Sequence, residues 1–320
     1  MKSTSELTDF YYKTLYPTLQ ELEEDRKHLR HRIIVVGVIY SLLILVITFL
    51  LFSFIAQAPD MLFFIAFVYF GLGAVIYKFL IKDYTQEFKQ SIIKPLIQAI
   101  DANLSYNSNH HISEHLFTRS DIFSSPDRMS GNDYVRGVVD GTKIEFSDIH
   151  AQKRHKNSKG KESWSTIFRG LYIVADFNKN FHGKTVVLPD TAQSTFGNLI
   201  GNWLQSNNLS RDELVKMDDT EFEREFVVYS SDQIEARYIL SNSLMKKLLI
   251  FKNKSEHPLY ISFIGNHIHI AVYYDKDLFE PSVFRSLLEY KIAMEYVKTL
   301  HLAISIVDEL KLNQKLWSKL

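Results

Sequence analysis

Two histidines, His267 and His269, stand two residues apart in the alternating apolar stretch LYISFIGNHIHIAVYY. Side chains of a strand alternate between its faces, so both imidazoles share one face with Ser262 and could together hold a metal ion. A zinc site needs three or four ligands, held in place by groups that hydrogen-bond to them, and no residue pattern links this pair to the histidines of HHISEH. We therefore favour solvated or hydrogen-bonded histidines and predict no metal.

A second polar group lies in DQIEARYIL, where Asp232, Glu235 and Arg237 are candidates for contact with a ligand or partner. Each also has a structural interpretation. Asp232 suits the first turn of a helix, where a carboxylate is stabilised by the helix dipole. Glu235 and Arg237 could form ion pairs with a sheet. The structural roles are the favoured ones.

A third group is basic. The stretch AQKRHKNSKGKES has one acid, Glu162, against five basic residues: Lys153, Arg154, Lys156, Lys159 and Lys161. Lys153, Arg154 and Lys156 are candidate contacts for an anionic lipid surface, which attracts such clusters. The favoured alternative is a flexible, soluble connection between two strands.

No established catalytic pattern is present. The stretch HGKT lacks the earlier glycine of a phosphate-binding loop, and VVLPD after it predicts a strand where that loop needs a helix. Nucleophile elbows, kinase signatures and dinucleotide glycine patterns are absent, so we predict no catalytic residues and no cofactor. The chain has no cysteine, which excludes thiolate chemistry and disulfides. Its net charge is zero, with 37 basic and 37 acidic residues, which argues against a nucleic-acid partner.

The elements that would position these residues begin with an apolar hairpin. Residues 33–56 carry no charge, and after the turn QAPD a second uncharged run covers residues 61–77. Lys78 can snorkel to the interface, which extends this second span to residues 61–80. At 1.5 Å per residue these runs reach about 36 Å and about 26–30 Å, which matches a hydrocarbon core of roughly 30 Å. We predict a two-helix transmembrane hairpin, with Pro59 ending the first helix and Asp60 capping the second; a buried soluble hairpin is the alternative.

The charges flanking this hairpin predict its orientation. The turn has no lysine or arginine, whereas both outer flanks are basic, with Arg26, Lys27, Arg30 and Arg32 before it and Lys78, Lys82, Lys89 and Lys94 after it. The positive-inside rule then places both termini in the cytoplasm. No ionisable residue lies in the middle of either span, so we expect an anchor in the lipid bilayer rather than a transporter.

Helical stripes occur on both sides of the hairpin. Residues 1–32 and 81–106 repeat apolar residues at near-helical intervals, with a break or kink expected at Pro17. The hairpin brings the two segments side by side, which predicts an antiparallel helical stalk. The alternative is that one segment lies flat on the lipid headgroups.

Residues 112–320 predict a cytoplasmic α+β domain with a largely antiparallel sheet and packed helices. The Asp140-Gly141 turn sets a register that pairs Val135 with Phe146 and Arg136 with Glu145. A second hairpin turns at Gly265-Asn266, and Gly170 indicates a bulge or a close backbone approach within another strand.

Helix signals lie between and after these strands. We predict a capping box from Ser230 to Gln233, a helix starting at Ser241, and a helix capped by Asp190 or Thr191. Pro281 is predicted at the first position of a long C-terminal helix, broken near Glu289.

The stretches IFRGLYIVADFNKNFHGKTVVLPD and MDDTEFEREFVVYSSDQIEARYILSNSLMKKL resemble a bacterial family of membrane-anchored proteins that is catalogued as a domain of unknown function. The resemblance rests on the Asp-Phe-Asn end of a strand and the Asp-Gln-x-Glu-Ala-Arg helix. It implies a helical N-terminus, an apolar hairpin and a bacterial inner-membrane location. It implies no activity, substrate or cofactor.

Two functions remain open on these residues. The favoured one is a non-enzymatic, membrane-anchored cytoplasmic module that binds a protein or anionic lipid. The alternative is a membrane-tethered enzyme, such as a hydrolase, whose site is assembled from dispersed histidine and acidic residues. A pocket in which His267 or His269 meets Asp232, Glu235 or Arg237 would favour the enzyme.

Overall fold

The computed structural model describes residues 4–52, 58, 60–158, 160–177, 180–190 and 213–310. The chain divides into two compact units. We name the first the helical unit, made of Ser5–Leu96 and Glu280–Glu295, and the second the sheet unit, made of Ile97–Phe279 and Tyr296–Leu320 with Met1–Thr4.

The described residues among the N-terminal hundred are mostly helical. Helix α1 ends at Lys13, and a turn at Thr14 and Leu15 separates it from the next helix, which confirms the helix break expected near Pro17. A five-residue π-helical turn separates the last two helices. The elements are α1 (Thr4–Lys13), α2 (Tyr16–Leu50), α3 (Met61–Phe88), the π-turn (Lys89–Ile93) and α4 (Lys94–Ile100).

Two helices here, Tyr16–Leu50 and Met61–Ile100, are long and apolar enough to cross a membrane. Their apolar side chains are exposed, with Phe63 at 80% and Phe49 at 77%. Water-facing apolar surface of this extent is unfavourable, so the exposure suggests membrane association. Asp60 occupies the N-cap position of α3, as predicted, but its side chain makes no capping hydrogen bond. Pro59 lies outside the described residues.

Polar side chains in the apolar hairpin bond to the hairpin itself. Ser41 Oγ donates to the carbonyl of Gly37 at 2.8 Å, and Thr48 Oγ1 donates to that of Ile44 at 2.7 Å. Tyr40 donates across the hairpin to the carbonyl of Tyr69 at 3.0 Å. Internal partners of this kind allow polar groups to sit in an apolar surrounding.

The two flanks of the hairpin pack together. Helix α2 contacts α3 and the π-turn. Most of the apolar stripes predicted on the two segments are buried, namely Leu15, Leu19, Leu22, Tyr84, Phe88, Ile92 and Leu96. Phe10 and Leu29 of the predicted stripe are half-buried, and Leu7 and Tyr11, which the stripe did not include, are buried. The structure therefore has the antiparallel stalk, rather than a segment exposed along one apolar face.

The segment before the C-terminal helix is irregular. Helix α9 runs from Tyr290 to Glu309, so the break near Glu289 is confirmed, but the helix predicted from Pro281 is wrong. The backbone of this segment is engaged elsewhere: Leu287 N–H donates to Glu23 at 3.0 Å, and the carbonyl of Val283 accepts from Arg26 at 2.7 Å. A helix would need those same backbone groups for its own hydrogen bonds.

The sheet unit contains a nine-stranded sheet among the described residues, in the order β1-β2-β3-β4-β9-β8-β5-β7-β6. Every neighbouring pair is antiparallel, as the sequence predicts. The strands are β1 (Ser105–Asn107), β2 (Arg128–Val139), β3 (Thr142–Lys156), β4 (Glu162–Asp176), β5 (Lys184–Pro189), β6 (Glu213–Val215), β7 (Phe226–Ser230), β8 (Leu259–Ile264) and β9 (His267–Tyr273).

Both predicted hairpin registers are confirmed. Val135 pairs with Phe146 and Arg136 with Glu145 in β2–β3, and Ile264 pairs with His267 around the Gly265-Asn266 turn. The close approach expected at Gly170 is also present. A Cβ placed there would lie 2.3 Å from the carbonyl oxygen of Val272, and the φ of Gly170 is +139°.

The sheet unit has four further described helices besides α9: α5 (Glu114–Arg119), α6 (Thr220–Glu225), α7 (Gln233–Ile239) and α8 (Asn242–Ser255). Ser241 caps α8 as predicted. The capping box at Ser230 is wrong, because Asp232 caps α7 and the hydroxyl of Ser230 donates to the carbonyl of Lys184. Thr191 and the helix predicted after it lie outside the described residues.

Aromatic rings from α5 and the residues after it pack on one face of the sheet. Phe117 lies 5.2 Å from Tyr172 and Phe123 lies 5.3 Å from Tyr260, measured between ring centroids. On the opposite face Phe263 and Ile270 are fully buried. The centre of the sheet is thus covered on both sides.

Candidate functional site

An open groove of about 670 Å³ lies beside the β2–β3 and β8–β9 turns. Its lining includes charged side chains of both signs and one histidine, namely Arg136, Lys143, Glu145, Asp176 and His267. We call it the His267 groove. A cleft with both cations and carboxylates suits a polar ligand or a charged protein segment better than an apolar one.

The register of the sheet explains why these groups converge. Arg136 is opposite Glu145 on β2–β3, and Asp176 is opposite His267 on β4–β9. Residues opposite each other across antiparallel strands point to the same face. Glu145 is also opposite Val174, which lies two residues from Asp176 on β4, so the two pairs share one side of the sheet. Tyr134 donates to Glu145 at 2.6 Å. Burial, and then this carboxylate, raise the pKa of Tyr134 to about 12.

His269 lies behind the groove and is 1% exposed. Its Nδ1 is 3.1 Å from the hydroxyl of Tyr172. Burial, followed by the charges of His267 and Arg119, lowers the pKa of His269 to about 3, so the ring is neutral at physiological pH. Among the described residues its Nε2 has no hydrogen-bond partner. His269 is thus a hydrogen-bonded core histidine.

Ser262 is the cross-strand neighbour of His269, and its hydroxyl also has no partner within the described part of the chain. A serine nucleophile needs a hydrogen bond to its base and access to substrate. Ser262 is 0% exposed and makes no such bond. The described geometry of this pair therefore does not form a nucleophilic site.

Asp232 and Glu235 have structural partners. Asp232 accepts from the N–H groups of Ile234 and Glu235 at the start of α7. The carboxylate of Glu235 accepts from the backbone N–H groups of His182 and Gly183, at 3.1 and 2.8 Å. Glu235 thus bonds a turn rather than Arg237, which is exposed.

These bonds also engage the backbone N–H groups that a phosphate-binding loop at HGKT would need. The N–H groups of a phosphate loop must point at the anion. Here two of them donate to Glu235, and that of Lys184 donates to Ser231 Oγ at 2.9 Å. The Lys184 ammonium pairs with Asp121 at 3.0 Å. The strand predicted after the turn is β5.

The basic stretch is mostly strand, not loop. Lys153, Arg154 and Lys156 lie on β3 and pair with β4, so the predicted flexible connection narrows to the turn between these strands. Lys159, in that turn, lies outside the described residues. Lys153 Nζ donates to the Ser125 carbonyl at 2.9 Å. Arg154 Nη1 is 3.4 Å from Glu162.

Two residues beside the basic part of the β3–β4 hairpin were not identified from the sequence. The guanidinium of Arg128 lies 4.4 Å from the ring centre of Trp164, and Trp164 is opposite Arg154 on this hairpin. The register of β3–β4 could have placed Trp164 beside the basic residues. The position of Arg128 follows only from the pairing of β2 with β3.

A buried carboxylate was also missed. Asp148 is 3% exposed and accepts from Leu278 N–H at 2.7 Å. Burial, and less strongly the charges of Asp277 and Asp133, raise the pKa of Asp148 to about 8. Its position in EFSDI carries no signal of this, because the burial depends on a segment far along the chain.

The predicted site residues do not converge. His267 lines the groove, whereas Asp232, Glu235 and Arg237 are not among its lining residues. Within the described ranges no three histidine, aspartate or glutamate side chains are placed to hold a metal ion. The described residues therefore do not form the pocket in which His267 or His269 would meet Asp232, Glu235 or Arg237.

Comparisons with known proteins give two partial likenesses. No curated protein matches the chain. The crystal structure of the mycobacterial trehalose monomycolate transport factor A, TtfA, aligns with 67% of this chain and 92% of that chain, at 11% identity and a TM-score of 0.35. These values mark a distant likeness. Residues 166–312 match the family model described as a protein of unknown function, DUF3137, which confirms the resemblance to a family of unknown function.

Proposed function

We propose that this chain is a membrane-anchored binding module of a bacterial inner membrane. In this proposal α2 and α3 both cross the bilayer, both termini are cytoplasmic, and the sheet unit presents the His267 groove to a protein partner. The sheet unit is then held at the membrane surface while its binding face stays in water.

The observation that carries the proposal is the exposure of the apolar hairpin. Phe63, Phe67 and Phe79 on α3 are 75–80% exposed, and Leu50 on α2 is 71% exposed. A helix hydrophobic on all sides is stable in lipid or in a large core, and no described element covers these side chains. The basic residues that flank only the outer ends of the hairpin support cytoplasmic termini.

The binding role is supported by the groove. Its charged lining is open on the surface, and the buried His269 is hydrogen-bonded through Nδ1 to the hydroxyl of Tyr172. Charge complementarity in such a cleft would select a partner with charged groups of both signs. A protein segment fits this requirement, because adjacent side chains can supply both charges.

Membrane extraction and crosslinking test the two parts separately. The full chain should stay in the membrane fraction through alkaline carbonate and leave it only with detergent; release by carbonate would refute the anchor. A photoreactive residue at Val138, which lines the groove and is 43% exposed, should crosslink a partner in cells. The matched position is Ile250 on α8, which is 49% exposed and outside the groove. Equal adducts at both positions, or none at Val138, would refute the groove as the binding surface.

A further inference from the structure

The outer end of the β3–β4 hairpin forms a surface of its own. From Arg154 to Ser158 and from Gly160 to Trp164 every described residue is exposed. Residues on both faces of these paired strands lack cover, so the hairpin end is a two-stranded ribbon in solvent. An uncovered ribbon is a surface available to a partner.

One face of this ribbon combines an aromatic ring with cations. Trp164 is opposite Arg154 and Glu162 is opposite Lys156. Residues two apart on a strand share a face, so Arg154, Lys156 and Trp164 lie together. Arg128 of β2 adds its guanidinium 4.4 Å from the Trp164 ring centre. We call these four residues, Arg128, Arg154, Lys156 and Trp164, the Trp164 face.

The charge of the ribbon is strongly positive. Residues 153–164 contain five basic residues and one acid, although the whole chain is neutral. Glu162 lies 3.4 Å from Arg154. Asp127 lies 3.6 Å from Lys153. Lys156 and Lys161 are exposed, and the ribbon keeps an excess of positive charge.

Trp164 is 42% exposed and stacks only with Arg128 among the described ring and cation contacts. Indole rings are stable at the boundary between water and lipid, where the ring is partly buried and its N–H stays hydrated. Lysine and arginine side chains bind anionic headgroups at the same depth. The Trp164 face therefore matches the chemistry of a negatively charged lipid surface on both counts.

We infer that the Trp164 face docks on anionic phospholipid headgroups, with the indole entering the interface between its flanking cations. This rests on the proposed function in one respect: the anchor keeps lipid at high local concentration, which makes weak contacts effective. It goes beyond that function by assigning a second contact with lipid, separate from the apolar hairpin and from the His267 groove.

The test uses the full chain in lipid nanodiscs. The sequence has three tryptophans, so Trp203→Phe with Trp317→Phe leaves Trp164 as the single reporter. Discs of phosphatidylcholine are compared with discs that also contain phosphatidylglycerol, both with brominated acyl chains that quench indole. In the anionic discs Trp164 emission should shift to shorter wavelength and lose intensity, and high salt should reverse both changes. Equal emission in the two kinds of disc would overturn the inference.

Charge variants then localise the contact. Arg128→Gln, Arg154→Gln and Lys156→Gln together should abolish the lipid-dependent quenching. Lys216→Gln, Lys246→Gln and Lys254→Gln remove three charges from exposed positions elsewhere in the sheet unit and should leave it unchanged. Equal loss in both variants would mean a general effect of charge and would overturn the assignment. Unchanged circular dichroism checks folding, and carbonate extraction of the same proteins reports the anchor separately. Trp164 protected from aqueous quenchers but not reached by brominated lipid would point to a protein partner and overturn the lipid assignment.

Discussion

Asp148 accepts a hydrogen bond from the backbone N–H of Leu278, at 2.7 Å and across 130 residues of sequence. The carboxyl is buried, and its pKa is raised from 3.8 to about 8 by burial, with Asp277 and Asp133 adding to the effect and Arg169 opposing it. The group that receives this bond is therefore largely protonated at neutral pH.

This raised pKa predicts a pH-dependent stability. Between about pH 4 and pH 8 the folded chain keeps a proton on Asp148 that the unfolded chain releases, so stability falls as pH rises, by up to about 1.4 kcal/mol per pH unit. Asp148→Asn keeps an acceptor for Leu278 without the charge. Thermal melting of the full chain in detergent from pH 5 to about pH 8 should show a smaller decline for this variant. An identical slope would mean that Asp148 ionises normally.

The Glu23–Arg26 pair predicts the effect of releasing the segment before α9. Both side chains are nearly buried and 2.7 Å apart, and hydrogen bonds from Arg26 and Leu287 N–H lower the pKa of Glu23 although burial opposes them. Arg26→Gln would leave a buried carboxylate without its cation, which costs about 3–5 kcal/mol. Amide hydrogen exchange at Val283–Leu287 should then rise.

The neighbouring pair is the control. Glu24 and Lys27 have the same i,i+3 spacing and the same 2.7 Å contact, but they are 54–64% exposed. Lys27→Gln should cost about 0–1 kcal/mol, because exposed ion pairs contribute little. Equal exchange rates in the two variants would show that the buried pair does not hold the segment.

Substitution of Gly170 is predicted to lower the stability of the fold strongly. An added Cβ would lie 2.3 Å from Val272 O and 2.6 Å from Tyr274 N, at a φ of +139°. Gly170→Ala therefore combines backbone strain of about 1–3 kcal/mol with overpacking of about 1–3 kcal/mol. Gly141→Ala is the control, since its φ of +81° is also unfavourable but nothing lies within 4 Å. Chemical denaturation should show a clearly larger loss at Gly170, and equal losses would contradict the close approach to β9.

The proposed topology can be tested with single cysteines, because the native chain has none. A cysteine at Ala58, in the turn of the hairpin, should react in intact cells with a thiol reagent that cannot cross the inner membrane. A cysteine at Ser158, at the end of the ribbon, should react only after the membrane is opened. The reverse pattern would refute the positive-inside assignment.

The parts of the fold predicted from sequence are those specified by near neighbours. The β2–β3 register follows from Asp140-Gly141 and from alternation, because a slip by one residue would bury Arg136 and expose Val135. The capping of α7 was misassigned to Ser230 because two polar residues compete within one turn. The local sequence indicates that a helix starts here, but it does not show whether the oxygen of Ser230 or that of Asp232 accepts the capping hydrogen bond.

The missed features depend on distant segments. The chain from Pro281 to Glu289 has helical periodicity, yet its backbone bonds to Glu23 and Arg26, more than 250 residues earlier. The Trp164 face likewise needs Arg128 from a neighbouring strand. Local periodicity reports which side chains are apolar, and it cannot report a bond to a group whose position is set by the rest of the fold.

The absence of a break in α2 between Tyr16 and Leu50 has a mechanical consequence. A continuous helix transmits both rotation and tilt from one end to the other. The direction in which Glu23 and Arg26 point from the helix axis is therefore fixed relative to that of the apolar residues further along α2. One residue inserted at Arg32 would turn one end against the other by about 100° and shift it by about 1.5 Å. In a bilayer, a change in bilayer thickness that tilts the apolar part of α2 would also tilt the part that carries Glu23 and Arg26. The tilt of the N-terminal part of α2 would then depend on the thickness of the surrounding bilayer.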